Sequence, residues 1–209
     1  RPARRARVTG ARSPAVAGTL SLLGWGLGQL YNGDRRTGMF FLLCELQVAA
    51  FHYLLYRTWD RILNFSQIFF VSEWEMMLYA SSVDFCLIFF MIYNVVHAYR
   101  GAEARGERFT GLHLPLVSGL ASLLIPGWGQ ILNGQLRKGV VFLFAFLMQG
   151  YVLALYLASP FYRIVAGMDT QQMLLAKATQ LGMAILFLTA LSWILSTYDA
   201  VLVARHSRG

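Results

Sequence analysis

PAVAGTLSLLGWGLGQLYNGDRRTG, residues 14–38, is nearly spelled again 101 positions later as PLVSGLASLLIPGWGQILNGQLRKG, residues 115–139. Thirteen of the 25 aligned positions are identical, among them Pro14/Pro115, Gly18/Gly119, Ser21/Ser122, Gly26/Gly127, Gly28/Gly129, Gln29/Gln130, Asn32/Asn133, Gly33/Gly134 and Gly38/Gly139. Apolar composition alone does not place glycines, a glutamine and an Asn-Gly pair at fixed spacing, so the chain reads as an internal duplication. The far ends support this, with YNVVHAYR at 93–100 resembling YDAVLVAR at 198–205.

The conserved spacing has physical content. Gly26-x-Gly28 and Gly127-x-Gly129 interrupt a helix and, lacking Cβ atoms, permit a bend or close backbone approach. Pro126 reinforces the break because it has no N–H. Gln29 and Gln130 are placed to satisfy the backbone groups freed by it. Asn32-Gly33 and Asn133-Gly134 are turn dipeptides ahead of the basic pairs Arg35–Arg36 and Arg137–Lys138. Trp25 and Trp128 suit the interfacial aromatic belt.

Outward from these segments the chain is strongly apolar. Of 209 residues, 57% are hydrophobic and 13% charged, with mean hydropathy +0.52. That polar content is too small to cover a soluble domain, and a bilayer is the natural solvent. Four runs are long enough to cross it: residues 38–56, 77–99, 139–158 and 182–204. The formal charge of +8 is clustered between these runs and forms no continuous basic face, which argues against nucleic acid.

If segments 14–33 and 115–134 dip into the membrane or lie along it without crossing, 14 of the 18 Lys and Arg residues fall on the cytoplasmic side. Arg57, Arg61, Arg163 and Lys177 face outward. This asymmetry favours four spans plus two re-entrant or interfacial segments over six full spans. The expected fold is therefore an all-α polytopic membrane protein. Its parts are a basic tail (1–13), a first repeat (14–100), a cytoplasmic linker (101–113), a second repeat (114–205) and a short tail (206–209). RPARRARVTGARSP with the apolar run behind it resembles a signal peptide. The internal twin at 115–134 and the lack of an A-x-A-like site favour mature structure.

GxGQxxNG followed by a basic residue and Gly resembles the PGxGQxYNGxxxKG segment of small bacterial membrane proteins. It is also similar to a segment near the start of some sugar ABC-transporter permeases and, more loosely, to two-transmembrane-helix domain proteins. Gly26, Gly28, Gln29, Asn32, Gly33, Gly38 and their partners carry the likeness, which covers under half the chain. The first segment departs from the pattern, with Trp25 where Pro126 stands. The resemblance implies a membrane-embedded module in a bacterial inner membrane and fixes no activity.

Polar groups inside spans are functional candidates because an unpaired one in hydrocarbon is costly. Counting rise along each helix puts Glu45 level with Asn94 and Tyr93, His52 near Asp84, and Gln149 about one turn from Asp199. A proton or cation path through Glu45, His52 and Asp84 is one reading; hydrogen-bonded glue between helices is the other, and is favoured because at offset 101 Phe146 and Ile185 replace Glu45 and Asp84. His52 and His97 lie at different levels, so no haem joins them, though a pigment or haem on one His stays open. Cys44 and Cys86 are too far apart for a disulfide. No cofactor or metal is expected. The Asn-Gly amides with Arg35, Arg36, Arg137 and Lys138 could hold a lipid phosphate, against the plainer view that these basics only set topology and meet anionic headgroups.

The stretch RTWDRILNFSQIFFVSEWEMM (57–77) mixes Trp59, Phe69, Phe70 and Trp74 with charges, which suits an interfacial helix or a docking surface on the outer face. Catalytic triads, P-loops and HExxH are absent, and no nucleophile and base cluster in the basic loops. The expected function is a non-enzymatic membrane subunit or scaffold of a larger membrane complex, with transport association as one version. The alternative is a small-solute or proton transporter using the polar groups of the first repeat.

Overall fold

The computed structural model describes residues 12–105, 111–112, 114–158 and 171–206. Among them all regular structure is helical: α1 (Pro14–Leu23), α2 (Leu27–Tyr31), α3 (Arg35–Ile68), α4 (Glu73–Glu103), α5 (Pro115–Leu124), α6 (Trp128–Leu132), α7 (Leu136–Ala158) and α8 (Gln171–His206). Four stretches are long and apolar enough to cross a membrane: Arg35–Ser66, Glu75–Glu103, Leu136–Leu155 and Gly182–His206. The ten-residue helices α1 and α5 are apolar but, at about 15 Å, span only half of a ~30 Å hydrocarbon core. Neither is long enough by itself to cross.

Local chemistry sets each boundary. Pro14 and Pro115 occupy the first turn of α1 and α5, where a missing N–H costs nothing. A turn follows each: Leu27 N donates to Gly24 O (3.2 Å) and Trp128 N to Ile125 O (3.0 Å). Its third residue is left-handed, Gly26 at φ 85° and Gly127 at φ 95°. A Cβ at Gly26 would also lie 2.1 Å from Gly38 O, and one at Gly127 2.2 Å from Gly139 O. Glycine is required twice over.

The Asn-Gly pairs do more than reverse the chain. Gly33 N bonds Leu30 O and Asp34 N bonds Gln29 O, both at 2.9 Å; Gly134 N bonds Ile131 O and Gln135 N bonds Gln130 O, at 3.1 and 2.8 Å. These are the paired bonds of a Schellman cap, closing α2 and α6 before α3 and α7 start.

Within the outer stretch 57–77, expected as an interfacial helix or a docking surface, residues 57–68 are helical and continue α3 without a break. Helix α3 runs 34 residues to Ile68, about 51 Å, well beyond the hydrocarbon thickness. Charged Arg57, Asp60 and Arg61 do not end it, because outside the bilayer they are solvated on a helix surface. A tight reversal follows, and α4 opens on a capping box: Ser72 N donates to Glu75 Oε2 (2.7 Å) and Glu75 N to Ser72 Oγ (3.3 Å). Residues 159–170 of the second outer connection, most of the 1–13 tail, 106–110 and 113 of the linker, and 207–209 lie outside the described residues.

α1 packs on α4 and α5 on α8; between the halves α1 meets α6 and α4 runs along α7. The short helices thus gather at the end of the bundle where α3 and α7 begin and α4 and α8 finish. Leu22, Val95, Tyr99, Ile131 and Leu143 form the principal core there. Much of the remaining apolar surface faces outward, as in Phe187 (67% exposed), which suits lipid and not water.

Candidate functional site

The most developed polar arrangement lies where α1–α2 meets α4 and α5–α6 meets α8. Small residues make it possible. Ala98 and Ala102 on α4, and Ala200 and Ala204 on α8, are fully buried at a small-xxx-small spacing. A Cβ on Gly28 would meet Ala17 O at 2.1 Å, and one on Gly129 would meet Ser118 O at 2.1 Å, so α1–α2 and α5–α6 fold backbone against backbone.

Polar side chains then bridge the helices. Gln29 accepts from Ser21 Oγ (3.2 Å) and donates to Asn94 O (2.9 Å). Asn94 accepts from Gly26 N (3.2 Å) and donates to Ser21 O (3.0 Å). Asn32 donates to Ala98 O at 2.7 Å. In the second half Gln130 accepts from Ser122 Oγ (3.0 Å) and donates to Ser196 O (2.7 Å), Ser196 Oγ accepts from Gly127 N (2.9 Å), and Asn133 donates to Ala200 O (2.8 Å). Gln29, Asn94 and Gln130 are each at most 1% exposed. In a medium without water these bonds hold the left-handed turns in place.

The equivalent residues of the return helices are 102 apart: Asn94 and Ser196 reach the turn amide, and Ala98 and Ala200 supply the carbonyl. Matching Tyr93–Arg100 to Tyr198–Arg205 is therefore out of register by three residues. The error hid Ser196, whose role is Asn94's by position and not by residue type. Ser21, Ser118 and Ser122 were also unassigned, although Ser21/Ser122 is one of the identical pairs.

The intramembrane pairs sort differently from the depth count. Glu45 and Asn94 do not pair with each other: Glu45 Oε2 accepts from Trp25 N at 3.1 Å, while Asn94 takes the next amide, Gly26 N. Gln149 and Asp199 are likewise separate. Gln149 Oε1 accepts from Ser192 Oγ (2.8 Å), and Asp199 holds Lys138 Nζ (3.1 Å) and Gln130 Nε2 (3.2 Å). His52 and Asp84 do meet, Nε2 to Oδ1 at 2.7 Å, with His52 Nδ1 on Val48 O at 2.9 Å. Because Val48 O only accepts, Nδ1 carries a hydrogen, and one further proton lies between Nε2 and Asp84. The pair is half-exposed, at 42% and 47%.

Both nitrogens of His52 are thus engaged. His97 lies against the rings of Phe41 and Tyr93, its Nδ1 buried and without a partner. Among the described residues no three His, Cys, Asp or Glu side chains converge as metal ligands. Cys44 and Cys86 are free thiols.

Trp128, expected in the interfacial belt with Trp25, is half-buried between the two halves. Its Nε1 donates to Thr19 Oγ1 at 2.9 Å, joining the halves, while Trp25 stacks near Phe90 at 5.1 Å. Arg35, Arg36, Arg137 and Lys138 are exposed. The amides of Gly33, Asp34, Gly134 and Gln135 are not open to a phosphate, because the caps engage them. Asp34 Oδ1 accepts from Thr37 N (3.2 Å), and hydrogen bonding from Thr37 holds its carboxyl below the ordinary value despite partial burial.

Family models, curated proteins and solved structures give no match to this chain.

Proposed function

We propose that this chain is a non-enzymatic, multi-pass protein of the bacterial inner membrane that serves as a subunit or scaffold of a larger membrane complex. In this reading it is a duplicated module. Each copy has a re-entrant, glycine-bent wedge (α1–α2 or α5–α6) and a hairpin of two crossing helices, and both termini are cytoplasmic. Arg35, Arg36 and Arg137 meet anionic headgroups without a dedicated site. The sequence likeness to a permease segment supports a transport-associated version.

The observation that carries the reading is the use of the buried polar groups. Gln29, Asn32, Asn94, Gln130, Asn133 and Ser196 all bind backbone of a neighbouring helix and hold the wedge in shape. A surface for other proteins remains at the outer tip, where Phe70 is 97% exposed and held at φ 57°. The full chain extracted in mild detergent should carry a second polypeptide at fixed stoichiometry. Phe69→Ser with Phe70→Asn should release it. Recovery of the chain with no other polypeptide overturns the reading.

The second reading, a proton carrier, rests on the His52–Asp84 hydrogen bond. It requires proton flux in liposomes of the purified chain, abolished by Asp84→Asn.

A further inference from the structure

The halves touch through unlike faces, and each half keeps one such face uncovered. In the first half, Leu22, Met91, Ile92, Val95 and Tyr99 of α1 and α4 form a socket. It is filled by Trp128, Ile131, Leu136, Leu143 and Leu147 of α6 and α7. Further along, Phe85 meets Tyr151 (ring centroids 5.8 Å) and Phe89 meets Phe144 (5.6 Å). Among the described residues, α2 and α3 make no contact with α5 or α8. The contact is heterologous: it uses the socket of the first half and the ridge of the second.

The second half has the same socket, open. At the correspondences fixed by the hydrogen bonds, the places of Leu22, Met91, Ile92, Val95 and Tyr99 are taken by Leu123, Trp193, Ile194, Thr197 and Val201. All five line one apolar groove of about 690 Å³ between α5 and α8. The matching ridge lies on the first half. Leu27, Leu43 and Leu46 stand where Trp128, Phe144 and Leu147 stand, and are 36%, 59% and 67% exposed.

The rims correspond too. Inside the chain, Glu103 shares a pocket with Gln135, Arg137 and Lys138. Arg205 takes the place of Glu103 on the open socket, and Asp34 that of Gln135 on the free ridge. Asp34 thus offers Arg205 an opposite charge, while Arg36 keeps the place of Arg137 and Thr37 takes that of Lys138.

We propose that the α5/α8 groove receives the α2/α3 ridge of a second copy of this chain, repeating between molecules the contact that joins the two halves within one. A heterologous contact between units of the same orientation continues around an axis normal to the membrane until it closes as a ring of whole chains. The inference needs no other subunit and stands apart from the function proposed above.

The test uses the full chain in membranes, with Cys44→Ala and Cys86→Ala. Leu27→Cys and Leu120→Cys replace the counterparts of Trp128 and Thr19, which touch across the internal contact at 2.9 Å. Two singly substituted chains, co-expressed and oxidised, should give a covalent dimer, and neither alone should. Absence of dimer from the mixture overturns the proposal. So does a dimer from Leu120→Cys alone, which would mean like faces meet, or a covalent adduct with a different polypeptide. The unmodified protein supplies an independent reading: its native mass should be at least twice 23.5 kDa in protein of this chain, and one chain per particle overturns the proposal. A different polypeptide in the same particle bears on the scaffold function alone, so the two failures are distinguishable.

Discussion

At the turn after the first short helix, the two halves of the molecule differ in a coordinated way. Trp25 has an amide hydrogen, and Glu45 accepts it at 3.1 Å. Pro126 has none, and Phe146 stands at the place of Glu45. Nearby, Asn133 Oδ1 accepts from Ser118 Oγ at 2.7 Å, whereas Asn32 Oδ1 is buried without a partner because Ala17 takes the place of Ser118. One backbone trace is kept by two different sets of side chains. Each set engages the turn's buried donors and all but one of its acceptors, Asn32 Oδ1, without matching residue types.

The largest effect should come from removing what the halves share. Gly26→Ala or Gly127→Ala places a Cβ about 2 Å from a carbonyl oxygen at a left-handed residue, so yield of monodisperse protein should collapse. Gly150→Ala, in open space within α7, should raise stability by up to about 1 kcal/mol. If Gly26→Ala behaves as mildly as Gly150→Ala in thermal melts, the turn geometry is wrong.

The coordinated difference can be broken and mended. Glu45→Phe leaves the Trp25 amide without an acceptor and should cost about 1–3 kcal/mol. Trp25→Pro together with Glu45→Phe transplants the second half's solution and should recover part of that loss. Strict additivity in a double-mutant cycle of unfolding free energies would show that the pair is not coupled.

A smaller contrast concerns the asparagines. Ser118→Ala should cost about 1–2 kcal/mol by orphaning Asn133 Oδ1. Ala17→Ser should gain about 0.5–1 kcal/mol by giving Asn32 the bond it lacks. Opposite signs are the point; destabilisation by Ala17→Ser would mean the site has no room for the oxygen.

The smallest effect is acidic. Asp34 is held below its ordinary 3.8 in the folded chain, so its contribution is complete above about pH 4 and disappears as pH falls through the lower folded value. Gln135, its counterpart, has no such dependence. Melting temperature from pH 5 to pH 3 should therefore fall less for Asp34→Asn than for the unmodified protein.

Much of this fold was legible from spacing. The glycines, the Asn-Gly pairs and four apolar runs located the short helices and the four long ones, because chain breaks and hydrophobic length are local properties. Three things were not. Depth along the helices matched Glu45 to Asn94, but its partner is the backbone N–H of Trp25, which no comparison of side chains reveals. The register of the return helix was set by letters shared between Tyr93–Arg100 and Tyr198–Arg205. In the fold it is set by which residue reaches the turn amide, and Asn94 and Ser196 do this with unlike groups. The continuity of α3 to Ile68 was the third: the apolar run stops at Tyr56, but a helix that has left the bilayer accommodates the charges beyond it.

The four short helices all sit at one end of the bundle, beside the termini of the long ones. Among the described residues that end holds all eight helices, and only the four long ones continue away from it. In a lipid sheet an end with more helices displaces more area from its own leaflet than from the other. The protein would then be most comfortable where the sheet curves away from that end, and crowding many copies together would itself bend the sheet.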